Sequence, residues 1–254
     1  MTALGQVEIP AYLDGVPALP ARLWLLGTFP PSLGVAIVGT RRSTSYGNGV
    51  ASALARAVSG AGWPVISGLA RGIDGVAHTA CVEAGEPGWA VLGSGLDIVY
   101  PRQNESLARR LVELGGGLIS EYPPGTPPAP YRFPARNRII AALSAAVVVV
   151  EAAVTGGALI TARLALELGR DVLAVPGDIN RAVSEGSNLL IRDGAHPVLG
   201  PEDLIETLAY ILGPPPRTPP SPPARAEDVD ALIERSGGPI GETLASLTRS
   251  ELGI

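Results

Sequence analysis

The chain has 254 residues, 46% of them hydrophobic and 17% charged, with 19 basic and 24 acidic groups for a net charge of −5. Every basic residue is arginine. The lack of lysine excludes a Walker-type phosphate loop and any Schiff-base or pyridoxal-phosphate mechanism. One cysteine, Cys81, and two histidines, His78 and His196, allow no intrachain disulfide and too few ligands for a structural zinc site, so neither metal nor cofactor is expected and a reducing cytoplasm fits.

The length suits one large α/β domain plus a small appendage. Residues 1–34, rich in Pro and Leu, read as a lead segment packed on that domain. They lack a basic region followed by an apolar stretch, so no signal peptide is expected. Over 35–212 apolar runs alternate with helical patterns, which predicts a Rossmann-like α/β domain: an open, mostly parallel sheet with helices on both faces. Strands are expected at 35–39, 64–67, 89–93, 117–120, 146–151 and 171–175, with a short one near 197–199. The apolar run 139–150 is too short to span a bilayer, and Val147 to Val150 suit a strand buried on both faces, so no membrane partner is expected.

Between the strands, Val50, Ala53, Leu54, Ala57 and Val58 mark one amphipathic helix, and Ile73, Val76, Ala77, Ala80, Cys81 and Ala84 a second. Leu107, Leu111 and Leu114 mark a third. A fourth, 159–168, is apolar nearly all round and is expected to be buried, a candidate subunit contact. Residues 213–225 (GPPPRTPPSPPAR) read as a Pro-rich linker. The tail 226–254 has two helical patterns resembling part of a helix-turn-helix or winged-helix unit. It stops where a wing would begin, so it reads as incomplete, and its six acids against Arg235 and Arg249 disfavour duplex DNA.

Charge is placed unevenly. Residues 15–73 hold Arg22, Arg41, Arg42, Arg56 and Arg71 with no acid, and residues 122–150 hold Arg132, Arg136 and Arg138, again with none. In an otherwise acidic chain these stretches are expected to gather into one positive patch. The expected carboxyl ends of the strands carry Gly, Ser, Thr and Arg: Gly39-Thr40-Arg41-Arg42-Ser43-Thr44, then Ser67-Gly68-Leu69-Ala70-Arg71-Gly72, then Thr155-Gly156-Gly157 with Thr161, then Pro176-Gly177 with Ser187-Asn188. Helix N-termini, hydroxyls and arginine forks at such loops suit phosphates, of a nucleotide or of a polynucleotide backbone. Phe133, between Arg132 and Arg136, suits either stacking of an unpaired base or filling of a loop pocket with Tyr131.

Catalytic readings are weaker. Cys81 lies on the apolar stripe of its helix. Asp74 and His78 share a helix face, which predicts a local ion pair fixing the preceding loop. Ser94 lacks the frame of a nucleophile elbow, and Gly93-x-Gly95 lacks the third glycine of a dinucleotide fingerprint.

Taken together, GTRRSTSYG, SGLARGID, VLGSGLDIVYP, LISEYPPG, FPARNRIIAALS, GGALITARLALELGR, AVPGD and GSNLLIRDGA strongly resemble the DNA-processing protein A (DprA/Smf) family over about 35–200. No counterpart is expected in residues 1–34 of the helical domain that some members carry ahead of this region. The resemblance implies a non-enzymatic, dimeric protein that binds single-stranded DNA without sequence preference. It also implies protection of incoming strands during natural transformation and loading of the RecA recombinase. Carried onto this sequence, it puts Arg41, Arg42, Ser43 and Thr44 on phosphates with Ser67, Gly68, Arg71 and Gly72 beside them. Phe133 is then a base contact, and Arg136, Asn137 and Arg138 make backbone contacts or support the loops. The rival is a nucleotide hydrolase of the lysine-decarboxylase-like (LOG) type, whose phosphate loop Thr155-Gly156-Gly157 resembles. Its catalytic glutamate is missing here, where Ala158 to Thr161 follow. A scaffold that only recruits RecA is a third reading.

Overall fold

The structure, a computed structural model, describes residues 4–17 and 19–217; the tail 226–254 and the linker beyond Arg217 lie outside the described residues. The strands are β1 (Gly5–Glu8), β2 (Arg22–Gly27), β3 (Gly34–Val38), β4 (Val65–Ser67), β5 (Gly88–Val91), β6 (Gly117–Ser120), β7 (Ser144–Val149), β8 (Asp171–Ala174) and β9 (His196–Pro197). They form one sheet in the order β1-β2-β6-β5-β4-β3-β7-β8-β9. From β6 to β9 all neighbours are parallel, whereas β2 runs antiparallel to both β1 and β6. The helices are α1 (Ser45–Gly60), α2 (Ile73–Glu83), α3 (Glu105–Glu113), α4 (Arg132–Ala142), α5 (Gly157–Glu167), α6 (Ala182–Arg192) and α7 (Pro201–Leu212).

Alternation along β3 explains its unbroken apolar run. Val35 and Ile37 pack with α1, α2 and α7 on one face, while Ala36 and Val38 pack with α4 and α5 on the other. A smaller cluster lies under α3, around Leu92, Leu111 and Leu118.

Several elements depart from expectation. The lead segment does not simply lie on the domain: it extends the sheet as a hairpin, with Leu23 buried on one face and Trp24 and Leu26 packed on the other. Helix α5 is one-sided rather than buried. Ala158, Ala162 and Ala165 face the core, and Ile160 and Leu166 are exposed, because an outer-layer helix meets the sheet along one stripe only. The sequence reading assigned neither α6 nor α7. The described start of the Pro-rich stretch lies on the core, where Arg217 donates its N–H to the Ala61 carbonyl at 2.9 Å and pairs with Glu86 at 2.7 Å.

The strand order places the site. From β3 the chain steps outward through β4, β5 and β6, then returns through α4 to β7 on the other side of β3. The carboxyl ends of β3 and β7 therefore flank a topological switch point, where open α/β sheets leave a crevice.

Candidate nucleic-acid interface

The loops that line this crevice are held by bonds within the chain. After β3, Thr44 caps α1: its Oγ1 accepts the Gly47 N–H at 3.1 Å and donates to Glu151 Oε1 at 2.6 Å, and its N–H donates to Oε2 at 3.0 Å. Ser43 donates to Asn48 Oδ1 at 2.6 Å. After β4, the buried Ser67 hydroxyl donates to the Ile37 carbonyl at 2.7 Å, and Gly68 N–H donates to Asp74 Oδ2 at 3.1 Å. Gly72 has φ +75°, and a Cβ there would stand 2.2 Å from the Thr40 carbonyl oxygen. Only glycine lets the two loops touch. Their contact, reinforced by Ile73 N–H donating to Thr40 O at 3.3 Å, brings Arg41, Arg42 and Arg71 to one mouth.

Helix α4 supplies an internal strut. Arg136 is only 3% exposed. Its Nη1 donates to the carbonyls of Gly68 and Val91, its Nε donates to Asn137 Oδ1 at 3.0 Å, and its Nη2 lies 3.9 Å from Asp74. A Cβ on Gly68 would collide with this guanidinium at 2.2 Å. Burial lowers the Arg136 pKa to about 10, against the pull of Asp74, so the group stays charged at neutral pH. Burial likewise raises the Asp74 carboxyl above its usual range, and Arg136 and the Gly68 and Ala70 backbone hold it back.

At named positions these placements bear out or revise the expected roles. Asp74 does fix the loop before α2, but through Gly68 and Arg136. His78 is fully buried with its Nδ1 turned toward Gly88, and the expected Asp74–His78 ion pair is not formed. Ser43, Thr44 and Ser67 have their hydroxyls engaged with acceptors of the chain. Gly68 is filled by Arg136 and Gly72 by the neighbouring backbone. Asn137 donates to the Gly157 carbonyl at 3.2 Å, and Arg138 pairs with Glu121. Cys81 is buried in the core, which pushes its thiol up to about 12.

What remains open to a ligand is a smaller set. A cavity of about 400 Å³ at the switch point is lined by Arg41, Arg42, Phe133, Ile140, Gly156 and Thr161 among others, with Asp74, Arg136 and Asn137 also reaching its wall. A second, of about 220 Å³, shares Arg41, Arg42, Ala70, Phe133 and Arg136 with it and adds Arg71 and Tyr100. Arg41, Arg42 and Arg71 are exposed and form no ion pair among the described residues. The Arg41 guanidinium stands 4.7 Å over the half-buried Phe133 ring, and Tyr100 lies 5.6 Å from it, centroid to centroid. At the far wall α5 opens on Gly156 with no acid in its first turn. Thr155 is exposed there, and space is open beside Gly157. Tyr100 is the residue that sequence reasoning missed; its signal was a tyrosine before Pro101 in the VLGSGLDIVYP block.

Known proteins share both sequence and architecture with this chain. Protein Smf of Escherichia coli K12 is 42% identical over 241 residues, covering 87% of this chain and 64% of that protein, so the chain spans less than two-thirds of this relative's length. The crystal structure of DNA processing protein A from Streptococcus pneumoniae superposes with a TM-score of 0.72 at 36% identity, covering 80% of this chain and 74% of that one. DNA processing protein A from Helicobacter pylori, described for its single-stranded DNA binding mode, gives 0.74 at 30% identity, covering 82% and 97%. The family model for DNA recombination-mediator protein A matches residues 1–209, and with these relatives and this doubly wound sheet the chain belongs to that DprA/Smf family.

Proposed function

We propose that the two cavities form one trough that binds single-stranded DNA without sequence preference. The observation that carries this reading is the set Arg41, Arg42 and Arg71, exposed and without an ion pair among the described residues, beside the Phe133 ring in a chain of net charge −5. Arginine forks neutralise phosphates and release their counterions, which gives affinity without reading sequence. An aromatic face adds stacking energy with any unpaired base and nothing with a base still in a duplex. The open N-terminus of α5, with Thr155, Gly156 and Gly157, offers a further anion contact at the other wall. The relative from Helicobacter pylori supports the same ligand.

Binding rather than hydrolysis is the favoured reading. Asp74 is tied to Gly68 N–H and faces Arg136, and among the described residues no second carboxylate lines the larger cavity to share acid and base roles with it. In the cell such binding protects incoming strands during natural transformation and helps load the RecA recombinase, with a homodimer in the cytoplasm as the working unit. The deciding experiment is a salt titration comparing single-stranded with duplex oligonucleotides of equal length. Tighter single-strand binding, with log affinity falling linearly in log salt, is expected; equal affinity for the two forms rejects the reading. Release of free base from nucleoside monophosphates at steady turnover would replace it with the hydrolase. Nucleation of RecA filaments on coated strands, and sedimentation of the free protein, test the two protein contacts.

A further inference from the structure

The smaller cavity has a construction of its own. It lies over the ends of β4 and β5, and Tyr100 and Pro101 belong to it alone, whereas Asn137 and the α5 N-terminus belong only to the larger one. Tyr100 is 47% exposed, and its hydroxyl has no hydrogen-bond partner among the described residues. The segment carrying this open ring is nonetheless tightly held. Ser94 Oγ donates to the Ile98 carbonyl at 2.7 Å, and Asp97 accepts the Gly125 N–H at 2.9 Å. Asn104 donates its N–H to the Pro101 carbonyl at 2.9 Å and its side-chain amide to the Leu69 carbonyl at 2.9 Å. That last bond joins the Tyr100 turn to the loop bearing Arg71. Leu69 itself holds a left-handed φ of +53° with its side chain wholly buried, a costly conformation that surrounding packing must enforce.

A half-exposed aromatic ring on a tightly held turn, tilted 39° to Phe133, with an arginine that forms no ion pair among the described residues lining the same hollow, suits a flat π-system carrying an anion. We infer that this hollow is a second nucleotide subsite, in which Tyr100 stacks an unpaired base and Arg71 holds the adjoining phosphate. The inference rests on the single-stranded DNA reading of the trough and extends it. The strand then runs from the α5 N-terminus across Phe133 to Tyr100, so at least two nucleotides are engaged and two bases are stacked by different rings. The turn that carries the ring is held before the ligand arrives, so little backbone ordering entropy is lost on binding.

The test compares oligo-dT with an abasic strand of the same length, using the full chain. Tyr100→Ala should weaken oligo-dT binding about 5- to 100-fold, and Tyr100→Phe should stay within about twofold of the wild type. On the abasic strand Tyr100→Ala and the wild type should bind equally. Tyr100→Trp provides a second readout, since its indole fluorescence should be quenched by oligo-dT and not by the abasic strand. Wild-type affinity for oligo-dT in Tyr100→Ala overturns the subsite, as does an equal loss on both strands or an unquenched Tyr100→Trp that still binds. A wild type that binds no single strand removes the DNA reading itself, and the subsite with it.

Discussion

Both carboxylate oxygens of Glu151 are bound to Thr44, Oε1 to its hydroxyl at 2.6 Å and Oε2 to its N–H at 3.0 Å. Glu151 follows β7 and is 3% exposed, and it occupies the space where a Cβ on Gly47 would lie. The chain therefore places its own negative charge at the N-terminus of α1, where sequence logic puts a ligand phosphate. Helix α2 is similar, with Asp74 in its first turn accepting the Gly68 N–H. Helix α5 has no such acid. Of these three helix starts, those of α1 and α2 are closed by internal carboxylates that satisfy the positive end of the dipole. On the β3 and β4 side an anion must then be held by arginine side chains.

Glu151→Gln keeps the shape and removes the charge. Because the carboxylate makes charge-assisted bonds out of water, the variant should lose about 1–3 kcal/mol of stability. Urea unfolding measures this as a lower midpoint at unchanged slope. An unchanged midpoint would mean that α1 does not need this cap.

Replacing Arg41 and Arg42 together by Ala should weaken binding to oligo-dT and oligo-dA alike. It should also flatten the salt dependence by about 0.7 in slope per lost phosphate contact. Among the described residues neither is in an ion pair, and Arg41 acts within the fold through its contact to Phe133 and weak charge interactions with Asp74 and Arg136 that oppose each other, so stability should change by less than about 1 kcal/mol. Equal slopes for wild type and double variant would remove these two residues from the interface.

The residues that carried the most signal were those whose period or chemistry is local. Val147 to Val150 read as a doubly buried strand because four β-branched residues in a row fit nothing else of that length. Arg41 and Arg42 stood out because no acid lies near them in sequence, and Arg71 because it closes the same acid-free stretch, three residues before Asp74. Long-range pairings were not legible. Nothing near Arg136 announces that its guanidinium fills the space beside Gly68, 68 residues away, so its exposed and internal roles looked alike. Leu23 to Leu26 are apolar on both faces of β2 and so hid the strand period. Helix α7 was missed although it carries local signals, with Pro201 opening it and Glu202 and Asp203 in its first turn. Helix α6 carries none: Gly186 and Ser187 sit mid-helix against its propensity, because a Cβ at Gly186 would meet the Ala152 carbonyl at 2.7 Å.

Phe133→Ala should reduce affinity for oligo-dT by about 1–3 kcal/mol if the ring stacks a base, and Phe133→Trp should restore it. Fluorescence anisotropy gives the affinities and circular dichroism checks the fold. A loss near zero with the fold intact would make the ring a filler between Arg41 and Tyr100.

Arg136 should behave in the opposite manner to Arg41. Arg136→Ala leaves Asp74 buried without its counter-charge and deprives the Gly68 and Val91 carbonyls of a donor. The expected cost is about 3–5 kcal/mol of stability. Adding Asp74→Asn to that variant should recover part of the loss, so a double-mutant cycle should give a clear coupling. An Arg136→Ala protein as stable as the wild type would mean that the guanidinium is not the strut described above.

His78 gives the fold an acid-side weakness. The ring is fully buried, and among the described residues neither nitrogen has a well-formed hydrogen bond, the Ser67 backbone being the polar group close enough to act on it. Burial, chiefly, holds its pKa down to about 3 from 6.5; the Ser67 backbone opposes this and Arg136 adds to it. The folded pKa lies below the unfolded one, so between pH 6.5 and about 3 the unfolded chain binds the extra proton. Stability from the neutral ring is complete above pH 6.5 and is lost as pH falls, at about 1.4 kcal/mol per pH unit. His78→Leu removes this titration while keeping an apolar side chain in the core. Between pH 8 and pH 5 its unfolding free energy should therefore gain about 2 kcal/mol relative to the wild type, measured by urea denaturation at both values. Parallel pH curves for the two proteins would require a proton-holding partner for His78 in the folded state.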